Sequence, residues 1–279
     1  MVLVEPSTQN AGKLRSVPTT INYLARNCPE PYVNNGDFSK NRLPLEKVEV
    51  NILDADAFPT PPTLEIEGFC SVPHKIDLPD LADSREAAAS YRESLLPLLK
   101  AMTGADELVM AQFCVVRRQE LTAIEKDIEK TVGADFVHWD VTDIGIEQVT
   151  DYFYARPSRP GMRRMALYNI WKLLSVGPTN LPLAVCDARS VRPEDITAGP
   201  AYFPSVDGDV DTGFFHPNDH FRWAYFSKLT SNDVLIFKQY DTDPTQPKMV
   251  PHSAFNDPSC PPGAAPRISI ESRCMAYWY

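Results

Sequence analysis

Proline restricts this chain more than any other feature: 26 of its 279 residues are Pro, against 12 Gly. A Pro lacks the N–H that a sheet ladder or helix interior needs, so many loops between short elements are expected rather than long helices. Residues 48–52 and 64–69 alternate apolar and polar side chains like half-buried strands. Residues 113–116, 164–173, 183–186, 222–226, 234–240 and 267–279 also read as strands, punctuated by Pro, Gly, Asn and Asp.

Two helices are expected before the main run of strands. The first covers about residues 84–102, with Ser84 as N-cap, Arg85 and Glu86 in the first turn and Gly104 past the end. Tyr91, Leu95, Leu98, Leu99 and Met102 form its apolar stripe, and Pro97 should kink or divide it. The second covers residues 121–132, with Ile124 and Ile128 on one face. Helices followed by about eight strands predict a mainly β protein, an antiparallel, cupin-like jelly roll (a double-stranded β-helix) with flanking helices. No composition shift marks a second domain, so residues 1–279 are read as one. Residues 1–45 would be an irregular arm around Asn34-Asn35-Gly36, 46–135 strands and support helices, and 136–279 the jelly-roll core.

A net charge of −10, with both signs interspersed, argues against nucleic acid and an anionic membrane as partners. No apolar run reaches the roughly 18 residues of a membrane span, and Met1-Val2-Leu3-Val4-Glu5-Pro6 lacks the layout of a secretory signal. The six Cys form no CxxC pair, so reduced thiols in a cytoplasmic protein are expected.

Chemistry concentrates in few residues, because the chain has only five His. In Val137-His138-Trp139-Asp140-Val141, strand alternation points His138 and Asp140 to one face, where both can meet one ion. His252, near the last strand, is the candidate third ligand. Two His and one carboxylate form the facial triad of non-haem Fe(II) oxygenases, with positions open for O2 and co-substrate. Arg267 and Ser269 open the final strand on one face, a fork and a hydroxyl suited to the distal carboxylate of 2-oxoglutarate. Arg273 shares their parity and is the rival clamp. Asn169 and Trp171, two apart on a strand, can both face the co-substrate. Tyr225 is a candidate hydrogen-bond donor to substrate or co-substrate, and His216, in a polar loop with His220, a candidate at the substrate entrance.

These segments resemble a known family. Val137 to Thr142, Tyr168 to Lys172, Pro182 to Ser190, Arg222 to Phe226, Val234 to Asp241, Pro251 to Phe255 and Pro266 to Arg273 come in the order of the fungal hydroxylase/desaturase family. That family is related to gibberellin desaturases and to the cephem 7-methoxylase component. The likeness runs from about residue 45 to the C-terminus. It implies a double-stranded β-helix, Fe(II), and 2-oxoglutarate as co-substrate in fungal specialised metabolism. By this resemblance His138, Asp140 and His252 match the iron ligands and Arg267 the co-substrate clamp. Val141 stands where the family often has Tyr, so the substrate pocket is expected to depart from the usual one.

The expected reaction couples decarboxylation of 2-oxoglutarate to removal of hydrogen from a small molecule, with O2 as oxidant. Hydroxylation, desaturation, epoxidation and cyclisation all fit, and a homodimer built on the arm is open. Three other readings compete: an iron oxidase that draws its electrons from its substrate alone, a jelly-roll binding protein without catalysis, and a metal-dependent isomerase or hydrolase.

Overall fold

The computed structural model describes residues 14–118, 129–131, 134–153, 160–204 and 208–279. Within them the first strands are β1 (Ser16–Leu24), β2 (Val33–Asn34), β3 (Leu45–Asp54) and β4 (Phe69–Pro73). Helix α1 (Arg85–Thr103) leads to β5 (Glu107–Met110), β6 (Val115–Arg118), β7 (Glu129–Thr131) and β8 (His138–Trp139). Helix α2 (Asp143–Phe153) then precedes β9 (Arg164–Leu173), β10 (Leu183–Cys186), β11 (Ile196–Phe203) and β12 (Gly208–Phe215). The chain ends with β13 (Trp223–Tyr225), β14 (Asp233–Asp241), β15 (His252–Ala254) and β16 (Ile268–Trp278).

The strands build the two facing sheets of a jelly roll. One runs β1-β3-β13-β10-β15-β8-β12-β11-β2, and the other β4-β14-β9-β16-β6-β7 with β5 also on β16. Pairing is mostly antiparallel, with parallel contacts at β3–β13, β2–β11 and β6–β7. Helix α1 covers the outer face of the second sheet, packing Tyr91, Leu95 and Leu99 on Ala166, Tyr168, Ile170 and Ile270. Its ends follow the sequence signals: the Ser84 hydroxyl accepts from the Ala87 N–H at 3.1 Å, and Gly104 closes the helix at φ 62°. Pro97 does not divide it. Pro97 lies on the exposed side, where water can serve the backbone carbonyl deprived of its partner.

Other expectations are corrected. Residues 16–24 are not irregular: they form β1, paired along its whole length with β3. Residues 64–67 are a turn, and the strand starts only at Phe69. Most of the helix expected over 121–132 lies outside the described residues, but 129–131 are β7, a strand. Helix α2 was not foreseen. Thr142 caps it through Oγ1, which accepts from the N–H groups of Ile144 and Gly145. Gly145 is required, since a Cβ there would stand 2.1 Å from the Asp211 carbonyl oxygen on β12. No helix among the described residues is long and apolar enough to cross a membrane.

Candidate metal centre

His138 and His252 are cross-strand partners, one on β8 and one on β15. Directly opposed residues of an antiparallel pair share a face, so both imidazoles enter the space between the sheets, 4.2 Å apart between centroids. Asp140 returns to that face two residues after His138. Its Oδ1 lies 3.4 Å from His138 Nε2 and 3.6 Å from His252 Nε2. An ion held at about 2.1 Å by donors at right angles would space them by about 3 Å, close to these two separations, and all three donors lie within 4.8 Å of one another.

Hydrogen bonds fix which nitrogen is offered. His138 Nδ1 donates to the Phe136 carbonyl at 3.0 Å and His252 Nδ1 to the Val250 carbonyl at 3.3 Å. Each Nε2 is left with its lone pair toward Asp140. Burial and the neighbouring His252 push the His138 imidazole down to about 3, against the pull of Asp140, and burial lowers His252 as well. Both rings are neutral at physiological pH, as ligands must be. Burial alone would raise the Asp140 carboxyl, but Arg273, the two imidazoles and Asn169 outweigh it and hold it well below the usual carboxylate range.

The second oxygen of Asp140 is held from the facing sheet. Oδ2 accepts from Asn169 Nδ2 at 2.7 Å and from Arg273 Nε and Nη2 at 3.1 and 2.9 Å. Asn169 and Arg273 are themselves register partners on β9 and β16. Arg273 Nη2 also reaches Glu271 Oε1 at 2.7 Å. Arg273 is thus shared between two buried carboxylates, Asp140 and Glu271.

Gln239 adds a brace that sequence reading missed. From a bulge in β14 its Oε1 accepts the Asp140 N–H at 2.9 Å, while its Nε2 donates to the Val250 carbonyl at 3.0 Å. One fully buried amide thus ties down the backbone beside both Asp140 and His252. The bulge shifts the alternation of β14 at this point, so counting by twos along the strand does not place the side chain.

His138 and Asp140 line a cavity of about 520 Å³, and His252 lies just behind them. Phe38, Leu43, Phe136, Phe203 and Phe214 give it apolar walls, and Arg117, Arg267 and Arg273 give it charge. Residues 33–45 of the expected arm form one wall. They are fixed by β2 pairing with β11 and by Asn35 Nδ2 donating to the Tyr202 carbonyl at 3.0 Å. A narrow recess beside His138 and His252 is lined by Trp171, Arg267, Glu271 and Arg117. Arg267 is 2% exposed, and its Nη1 donates to the Leu181 carbonyl at 2.8 Å. Burial, with Arg117 as charged neighbour, lowers its guanidinium to about 10, which leaves it cationic. Ser269 Oγ is buried without a hydrogen-bond partner.

The structure thus brings His138, Asp140, His252, Asn169, Trp171, Arg267 and Arg273 together, with Ser269 on the same face of β16. Three expected substrate contacts lie elsewhere. Val141 points away from Asp140 by strand alternation and packs with Ile146, Leu167 and Met275. Tyr225 is buried against Phe255, with rings 5.3 Å apart and edge-on. His216 is bound to the Leu24 carbonyl and the Thr197 hydroxyl at 3.0 and 2.8 Å, beyond the cavity wall. His220 is paired with Asp195 at 2.8 Å.

Comparison with known proteins agrees with this geometry. A family model described as an oxidoreductase/YMDC permease-like domain matches residues 19–277. The hydroxylase/desaturase efuI of Hormonema carpetanum is 30% identical, over 94% of this chain and 95% of its own. The Fe(II)/2-oxoglutarate-dependent dioxygenase nvfI of Aspergillus novofumigatus is 29% identical, over 70% of this chain and 69% of its own. A solved structure of the iron and alpha-ketoglutarate-dependent endoperoxidase NvfI superposes with a TM-score of 0.77 at 23% identity, covering 94% of this chain and 98% of that one, a likeness of fold. With a relative at this identity over nearly its full length, and a His-Asp-His donor set between the two sheets, the chain belongs to the fungal hydroxylase/desaturase family of Fe(II)- and 2-oxoglutarate-dependent oxygenases.

Proposed function

We propose that the chain is a single-domain oxygenase in which His138, Asp140 and His252 hold Fe(II) and the cavity beside them binds a small, largely apolar intermediate of fungal specialised metabolism. The observation that carries this reading is the set of three donors, all within 4.8 Å of one another, two of them lining a 520 Å³ cavity and the third the recess beside it. Bound Fe(II) and 2-oxoglutarate supply the oxidising chemistry, in which O2 is consumed, 2-oxoglutarate becomes succinate and CO2, and hydrogen is taken from the substrate.

The chain's own groups set where that chemistry acts. Neutral imidazoles and an ionised carboxylate offer three donors without needing to lose a proton. Arg273, Asn169 and Gln239 keep Asp140 pointed at the two rings. Arg267 and Ser269 receive the distal carboxylate of 2-oxoglutarate in the recess. Phe38, Phe136 and Phe214 exclude water and present one C–H bond of the substrate to the centre. Val141, Tyr225 and His216 have no part in this. We further propose that the enzyme works in the cytoplasm: its cysteines are all free, five of them buried, and its acidic surface suits neither nucleic acid nor an anionic membrane.

Incubation with Fe(II), 2-oxoglutarate, O2 and candidate intermediates tests the reading. Substrate-dependent succinate, in step with O2 consumption, is expected. Product formed without 2-oxoglutarate, or without O2, contradicts it.

A further inference from the structure

We propose that Arg117 is a further member of the co-substrate clamp, holding the distal carboxylate of 2-oxoglutarate together with Arg267 and Ser269. The inference rests on the oxygenase reading above and adds a residue from a different strand. Arg117 lies on β6, and in the β6–β16 pairing it stands opposite Ser269. Opposed residues of an antiparallel pair share a face. The next pair along, Val116 and Ile270, is buried on the other side beneath α1, which puts Arg117 and Ser269 on the side between the sheets.

Two further observations place Arg117 where a carboxylate would sit. It lines both the main cavity and the narrow recess, and Arg267 and His138 line the same two spaces. Its charge also bears on Arg267 strongly enough to be the ionic influence on that guanidinium after burial. Beside these two cations the Ser269 hydroxyl is 1% exposed and has no hydrogen-bond partner, an orphan donor on the face they share.

A carboxylate has about four acceptor positions on its two oxygens, so one fork and one hydroxyl leave room for a second guanidinium.

The test compares 2-oxoglutarate with 2-oxopentanoate, which keeps the 2-oxo acid but ends in a methyl group. Both are titrated calorimetrically under anaerobic conditions into the full chain loaded with Mn(II), so that turnover plays no part. Arg117→Gln should weaken 2-oxoglutarate by about 10- to 100-fold, the size expected for a charge-assisted hydrogen bond. It should leave 2-oxopentanoate within about 2-fold. Arg117→Lys, which keeps the charge and the fold but not the fork, should lose less. An unchanged preference for 2-oxoglutarate in Arg117→Gln, or an equal loss of both ligands, overturns the assignment. A wild-type protein with no preference for 2-oxoglutarate overturns the oxygenase reading itself, so the two failures are told apart.

Discussion

Along β9, Ala166, Tyr168 and Ile170 face α1, whereas Leu167, Asn169 and Trp171 face the opposite sheet. β16 divides in the same way, with Ile270, Cys274 and Ala276 beneath the helix and Glu271 and Arg273 turned inward. Both faces are equally shut off from water, since none of these residues but Arg273 is more than 4% exposed. They differ in what fills them. Under α1 the contacts are almost entirely apolar, and the face supplies stability through burial. Between the sheets, a carboxylate pair, an arginine, two amides and two imidazoles interlock, an arrangement that costs desolvation and is kept for geometry. One pair of strands thus serves two ends, and damage to each face should read out differently.

The largest effect belongs to the inner face. Asp140→Asn keeps the shape but removes the anionic ligand, and succinate production should fall by more than the roughly 100-fold upper range for residues that merely orient a ligand. Thermal unfolding should still be a single transition. Next, Leu95→Ala on the outer face should lower stability by about 2–5 kcal/mol in denaturant titration, with metal affinity per folded molecule unchanged. If Leu95→Ala instead altered metal affinity, the separation of the two faces would fail.

A smaller effect is expected from the braces. Gln239→Ala and Asn169→Ala should each weaken Fe(II) binding by about 10- to 100-fold, with no loss of ligand atoms. An unchanged affinity would mean that the facing sheet packs on the centre without orienting it.

The smallest effect concerns Lys172, which follows Ile170 on the α1 side of β9. Lys172 donates to the carbonyls of His74 and Asp233, and burial, partly offset by Asp233, lowers its ammonium to about 8. Below pH 8 both folded and unfolded chains carry this proton, and the buried charge disfavours the fold. Between about 8 and the ordinary lysine value the folded chain alone has released it, so stability should rise with pH through this group. Lys172→Met should remove that rise, measured as the difference between the two proteins' unfolding free energies from pH 7.5 to 10.5.

Much of the inner face was legible in the sequence because strand alternation is a two-residue rule. It placed His138 with Asp140, Asn169 with Trp171, and Arg267 with Ser269 and Arg273. The rule also had what it needed to exclude Val141, which follows the inward position 140 and so faces the other way. What stayed hidden depends on long-range register. That His138 opposes His252, and Arg117 opposes Ser269, follows only from which strands are neighbours. Gln239 was invisible because a bulge breaks the alternation that would have placed it. The arm misled for a related reason: β1 looks irregular by itself and becomes a strand only through β3. Helix α2 is short and carries Gly145, a weak helix former retained for close approach to β12.

On this reading His138, Asp140 and His252 together hold one Fe(II) where the cavity meets the recess. Anaerobic titration of Fe(II) into the apo-protein and into His252→Ala tests it most directly. The wild type should bind one equivalent, and the variant should show no saturable binding. Equal binding in both, or none in the wild type, would contradict it.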